Sequence, residues 1–354
     1  MPQAVTILKN AQGINNKVTS HRIAFNPETG IAQLSNAVNV DVLRDYAIQR
    51  RGGYDVATIY VNGSQVSAFE THSGWAGNGQ AYCVGVHSTG DSIYKIEQIT
   101  DNNVHLKGIR SGLSTRERMS FASHGPFVFY CNGSENGYLD GYGSNSWVGS
   151  DDYEGPLGFS TIYDDETTEV TGRFQGRHYV TKTAPLGHLV TSMSGFVVVA
   201  KDDNIYWSLP DLPFHWRPSV DRLQFQGKIT LLKGMPGGLW VADQYHTYWC
   251  QADTTEIGLR FQVIRRAFQS AIPGACAENL FDSSQSPWML ERGIDGLAAV
   301  WLAKNGPLRQ NAGVCIGTEQ GVFRNMTQEV LNLTDGDKGY AFVNDYRFVG
   351  GIET

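Results

Sequence analysis

Paired carboxylates are the first side chains in this chain whose types and spacing could do chemistry. Asp151-Asp152 and Asp164-Asp165-Glu166 could supply the acid and the base or nucleophile that glycoside hydrolysis requires. They lie in a polar, glycine-rich tract with few aliphatic residues, so solvated loop charges are the better reading. Asp202-Asp203-Asn204 offers oxygen ligands but lacks the spaced glycine and terminal glutamate of a calcium loop, and reads as a hairpin turn. The nine histidines never fall at HxxxH or HExxH spacing, which leaves zinc chemistry unsupported. GxSxG, a P-loop and a GxGxxG after a strand are missing as well, so no catalytic, metal-ligating or cofactor-binding residue is assigned and no cofactor is expected. Trp207, Trp216, Trp240, Trp249 and Trp301 could form a carbohydrate platform, but at strand positions such residues are more often core.

The elements that would position any such residue are strands. Glycine is high at 40 of 354 residues, and charged residues are low at 18% against a usual share of about 25%. That profile suits many short strands joined by tight turns. Cys83, Cys131, Cys250, Cys276 and Cys315 show no CxxC spacing and sit largely in apolar β runs, as reduced core thiols do. The formal net charge is −7 with no long basic run, which argues against stable, sequence-reading DNA binding. The N-terminal residues show no secretion signal, and no apolar run approaches the roughly 20 residues of a membrane span. A soluble chain made in the cytosol, without membrane insertion, is expected.

One stretch contains the same pattern twice. Gly195 to Ser208 and Gly238 to Cys250 each run from glycine through apolar β-formers and a polar turn carrying Asp to a second run containing Tyr-Trp. Each reads as a β-hairpin. The two glycines stand 43 residues apart, and Gly79 and Gly125, which open similar hairpins, stand 46 apart. Strand-only repeats of this size point to an all-β fold, a β-propeller of about six blades, with five to seven allowed. A last hairpin runs from Gly296 to Leu302 and from Gly313 to Phe323, and Ala271 to Ala275 reads as a turn before it. Residues 1–54 read as an N-terminal arm with first strands and 55–354 as the propeller, with a long inserted loop at about 141–175 or one degenerate blade there. A terminal strand completing a blade begun at the N-terminus would close the ring. The repeated Ser-x-Asp-x-Gly-x-Thr-Trp turns of propeller sialidases are absent. Arg50-Arg51, at a glycine turn, could meet an acidic partner or be solvated.

Further motifs carry a resemblance. They are Gly13-Ile-Asn-Asn16, Asn36-Ala-Val-Asn-Val-Asp41 followed by Gln49-Arg-Arg-Gly-Gly-Tyr54, Asn204-Ile-Tyr-Trp-Ser208, Gly237-Gly-Leu-Trp-Val-Ala-Asp243, and Gly317-Thr-Glu-Gln-Gly321 leading to Asn325-Met-Thr327. In this order the chain resembles the β-propeller structural proteins of bacteriophage tails, of nozzle, tail-tube or tail-hub type. The resemblance implies a non-enzymatic virion subunit, made in the host bacterial cytoplasm and located in the tail. Its partners would be copies of itself in a ring, commonly sixfold, and neighbouring tail or adaptor proteins, with DNA passing transiently and without sequence-specific binding. Contacts between copies are expected from the arm, at Asn15, Asn16, Arg50, Arg51 and Tyr54, and from the tract Gly141 to Glu169. A distal tail-tip or hub propeller that binds a host-surface receptor is the alternative, and a glycan-processing propeller enzyme a weaker one.

Overall fold

A computed structural model describes residues 57–86, 90–100, 102–114, 116–148, 183–255, 258–281, 294–304, 312–326, 338–344 and 347–353. It also describes five short upstream strands at Asn10–Ile14, Phe25–Asn26, Ile31–Leu34, Val40–Val42 and Ile48–Arg50. All regular elements among the described residues are β-strands. Five sheets follow one another as the blades of a β-propeller, each built from strands consecutive in the chain. From the channel outward, blade 1 is Glu70–Gly77, Gln80–Val86, Asp91–Ile99 and Asn103–Leu113, extended at its outer edge by Thr58–Val61 and Ser64–Val66. Blade 2 is Ser120–His124, Phe127–Cys131, Asn136–Leu139 and Ser144–Asn145. Blade 3 is Leu189–Met193, Phe196–Lys201, Asn204–Leu209 and Arg222–Gln224, with Leu212–Trp216 folded back on the third strand. Blade 4 is Leu231–Met235, Gly238–Ala242, Thr247–Thr255 and Gly258–Ala267, and blade 5 is Ala271–Phe281, Gly296–Ala303, Gly313–Thr318 and Phe323–Asn325. Lys338–Asn344 and Arg347–Glu353 form a separate hairpin against the inner strand of blade 5.

The second strands explain the apolar runs seen in the sequence. Phe196 to Ala200 and Gly238 to Ala242 are buried at every position, because a strand inside a blade is covered on both faces by neighbouring blades and needs no polar alternation. Tight turns set the hairpins: Asn78-Gly79 and Ser194-Gly195 have positive φ at both positions, the twist-matched geometry of two-residue hairpins.

Alternate residues of each blade feed two interfaces. Tyr82, Val84 and Ile93 of blade 1 pack with Val128, Tyr130 and Leu139 of blade 2. Phe129 and Cys131 of blade 2 meet Val197 and Val199 of blade 3. Val198, Ile205 and Trp207 of blade 3 meet Leu239, Val241 and Cys250 of blade 4, and Trp240 and Trp249 of blade 4 meet Ala299, Trp301 and Cys315 of blade 5. All five tryptophans that could have formed a sugar platform are buried in these contacts. Each contributes about 1.5–3 kcal/mol or more by leaving water.

Hydroxyl groups stitch the inner strands at the same four interfaces. The backbone N–H of Met119 donates to Ser73 Oγ at 2.9 Å, that of Val190 to Ser120 Oγ at 3.0 Å, and that of Gly234 to Thr191 Oγ1 at 2.8 Å. The hydroxyls of Thr230 and Ser270 lie 3.1 Å apart at the blade 4–5 contact.

Five blades fall within the expected five to seven and one below the central six. The last hairpin falls where expected: Gly296, with φ +83°, opens the second strand of blade 5 as Gly195 does in blade 3, and Gly313 begins the third. One finer expectation is corrected. Ala271 to Ala275 is not a turn but the start of the inner strand of blade 5. Pro273 and Gly274, the latter at φ +80°, are accommodated by a register shift between Ala271 and Cys276, as a bulge permits. All five cysteines are free. Burial pushes the Cys83 and Cys276 thiols up to about 12 and raises the other three as well, which suits inert core thiols.

A Cβ at Gly317 would stand 2.3 Å from Cε2 and 2.7 Å from Nε1 of Trp240, a direct clash with an indole whose Nε1–H donates to Thr318 O at 3.0 Å. Gly317→Ala is therefore expected to destabilise the chain by about 1–3 kcal/mol through overpacking. A lowered urea midpoint with an unchanged slope is the expected readout.

Candidate functional site

Strand direction sorts the loops onto two faces. Antiparallel strands alternate, so the first-to-second and third-to-fourth turns of each blade share one face, here called upper. Asp211 N–H donates to Gly195 O at 2.7 Å and Ser194 Oγ donates to Pro236 O at 2.9 Å, which joins these turns within blade 3 and on to blade 4.

The upper face carries overhangs. Strands in blade 2 run two to five residues, but Asp91–Ile99 has 9 residues, Asn103–Leu113 has 11, Gly258–Ala267 has 10 and Ala271–Phe281 has 11. Their upper ends project beyond the ring and expose large apolar side chains. Ile99 in blade 1 and Leu280 in blade 5 are each 68% exposed, and Tyr142, in the upper turn of blade 2, is 93% exposed. Large apolar groups held at the ends of rigid hairpins, clear of the core, are what a contact surface needs.

The lower face is different in chemistry. A central cavity of about 2070 Å³ is lined by the inner strands of all five blades and by the C-terminal hairpin. Its walls carry Arg118, Lys201, Lys228, Lys233, Lys304 and Lys338 against Glu70, Glu117 and Asp202, a positive excess in a chain of net charge −7. Lys233 pairs with Glu278 at 2.8 Å and Lys338 with Glu117 at 3.1 Å. Lys201, Lys228 and Lys304 make no ion pair with another described residue. The sequence disperses these lysines, and the lower turns gather them. Asp202 O accepts from Ile229 N–H at 2.8 Å, bringing Lys228 beside the Lys201-Asp202 turn, and Ser270 O accepts from Lys304 N–H at 3.0 Å.

Buried polar groups hold this mouth in shape. Asp243, fully buried, accepts the N–H groups of Tyr245 and His246 at 2.7 Å each and the hydroxyl of Tyr248 at 3.2 Å. That turn leaves Tyr245 half-exposed at the rim. His188 Nε2 lies 2.7 Å from Ile229 O. Burial is the largest influence on its pKa and lowers it; the Ile229 carbonyl opposes this, Lys228 adds to it and Asp202 opposes it. His124, 3.0 Å from Ser192 Oγ, is likewise lowered by burial, against the pull of Asp211. Among the described residues no group of three or more His, Cys, Asp or Glu side chains could hold a metal ion.

Of the residues singled out in the sequence for contacts between copies, Arg50 ends the short strand Ile48–Arg50. Asn15, Asn16, Arg51 and Tyr54 lie outside the described residues, as does the inserted tract from residue 149 to 175. The described start of that tract supplies Tyr142 to the upper face. Ile99, Leu280 and the three lysines were not singled out.

No family model matches the chain, and no curated protein matches it. Among solved structures it is similar to a protein from Lactobacillus plantarum at 12% identity, with 80% of this chain and 75% of that chain covered and a TM-score of 0.39. A likeness at this level says nothing about function.

The lowered histidines set a pH window. Both take up a proton less readily in the folded chain than in the unfolded one, so their contribution is complete above the unfolded value of about 6.5 and is lost as pH falls from there through the depressed folded values. The melting temperature is expected to drop as pH falls below about 6.5. The double variant His124→Gln, His188→Gln should show a flatter profile over that window in thermal denaturation.

Proposed function

We propose that this chain is a non-enzymatic structural protein of a bacteriophage tail, one of several identical copies that form a ring through which the genome passes. The observation that carries the reading is the upper face, where overhanging hairpins of blades 1 and 5 present Ile99 and Leu280 on a rigid ring. A propeller braced by four apolar blade interfaces suits a load-bearing ring element, and the long strands give neighbouring copies something to grip. The motif resemblance, from Gly13-Ile-Asn-Asn16 to Asn325-Met-Thr327, supports the tail assignment. A net charge of −7 supports passage of DNA without capture, since like charge repels the phosphate backbone over a Debye length of about 8–10 Å.

A second reading, a tail-tip propeller that recognises the host surface, is favoured by the lower mouth. Lys201, Lys228 and Lys304 beside Tyr245 could hold an acidic surface polymer through charge and stacking.

The test is electron microscopy of the purified full chain and of particles, with Ile99→Asp, Leu280→Asp as the comparison. The unaltered chain should form closed rings and occupy the tail. The variant should remain monomeric with a melting temperature within a few degrees of the original, since both side chains are exposed. Monomers alone, without particle association, would overturn the structural reading. Copies found only at the distal end would favour the second.

A further inference from the structure

The lower end of blade 4 carries a row of rings that runs outward from the central mouth. Tyr245 and His246 sit in the turn between the second and third strands, and Phe268 follows the end of the outer strand Gly258–Ala267. The ring centroids of Tyr245 and His246 are 6.3 Å apart and those of His246 and Phe268 5.5 Å apart, with the planes inclined by 62° at each step. Tyr245 and Phe268 are both about half-exposed, so the row offers large apolar faces to solvent at its two ends.

The surrounding bonds hold this row in place before any ligand arrives. The fully buried Asp243 accepts the backbone N–H groups of Tyr245 and His246, which fixes the turn through its main chain and not through the rings. His246 Nδ1 lies 3.2 Å from the hydroxyl of Tyr248. From blade 3, the loop at Gly227 closes on the inner end: a Cβ there would stand 3.0 Å from Cε2 of Tyr245. Glycine lets the chain pass that close and sets Lys228 beside the ring. Rings ordered in advance lose little entropy when something lies on them.

Cations flank the row at both ends. Lys228 and Lys201 stand at the mouth. At the outer end the Arg265 guanidinium lies 4.4 Å from the centre of the Phe268 ring, a cation–π contact that orients it while its N–H groups remain able to donate. Neither Arg265 nor Lys228 makes an ion pair with another described residue.

This charge selects an anionic chain, and the rings select which kind. Stacked bases stay nearly parallel on parallel platforms, whereas these rings are inclined by 62°. The dense phosphates of nucleic acid also meet the repulsion of a chain with net charge −7. An acidic peptide brings carboxylates but no flat face to lay on a ring. Successive pyranose units turn with respect to one another, each offers an apolar C–H face, and a uronate carboxylate matches the planar fork of arginine. We propose that the lower edge of blade 4 binds a uronate-bearing polysaccharide, its sugar faces on Tyr245 and Phe268 and its carboxylates on Lys228 and Arg265. The proposal rests on the tail-tip reading of the lower mouth, extends that site outward along blade 4 and names the chemistry of the polymer.

Isothermal titration of the full-length chain with fragments of polygalacturonate, alginate and hyaluronan tests it. At least one of the three should bind, with its own methyl ester, polyglutamate and single-stranded DNA each at least about tenfold weaker. Tyr245→Ala and Phe268→Ala should each raise the Kd about fivefold to tenfold. Both side chains are exposed, so the melting temperature should not change. The variant Lys228→Gln, Arg265→Gln should weaken binding and flatten its dependence on salt. Failure of all three polymers to bind, polyglutamate or DNA binding as tightly, or variants that bind like the original would overturn the proposal. Electron microscopy of particles separates this from the tail-tip reading. Distal copies without uronate binding sink only the proposal, and uronate binding by copies placed elsewhere in the tail sinks only that reading.

Discussion

Everything in this molecule depends on apolar contact between the flat faces of successive blades. A four-stranded blade with short loops has almost no interior of its own, so its stability comes from the sheets on either side. The side-chain period of two means that each strand serves both neighbours: Val198 and Ala200 turn toward blade 4, while Val197 and Val199 turn toward blade 2. A blade missing a neighbour keeps only half of its burial. The hydroxyl stitches work within this frame. They satisfy inner-strand N–H groups where the strands converge too closely for large side chains, which is why Gly234 faces the backbone of Ser192 there.

The same constraint decides what was legible in the sequence. Strands covered on both faces, such as Phe196 to Ala200, appear as continuous β-branched and aromatic runs, and the turns between them need Gly or Asn at positive φ. Both signals are local, so the fold class and the hairpin spacing could be read directly. Pro273-Gly274, in contrast, looked like a turn, and only Gly339 and Arg118, packed against Gly274 from distant points of the same chain, explain why the strand continues through it.

Functional features were less legible because they are assembled from separate turns. Lys201, Lys228 and Lys304 carry no common motif, and nothing in their spacing foretells that three lower loops meet around one mouth. Ile99 and Leu280 look in sequence like ordinary strand residues. Their exposure comes from strands that outrun the blades beside them, a property of relative length that one segment alone does not reveal.

The two faces divide the work that the overall charge would otherwise mix. A uniformly acidic ring would repel nucleic acid but also any acidic surface it had to meet; a uniformly basic one would hold both. Here the positive excess sits inside a recessed mouth, where low-dielectric walls focus its field on what enters, in a chain whose net charge is −7. Leu280 stands at the upper end of one of the longest hairpins, whereas Tyr245, Leu186 and Tyr340 add exposed apolar surface to the cavity itself. Under the proposed reading, contact between copies at the upper face and charge at the lower mouth rest on different residues, Leu280 on one side and Lys201, Lys228 and Lys304 on the other, so a substitution in one set leaves the other in place.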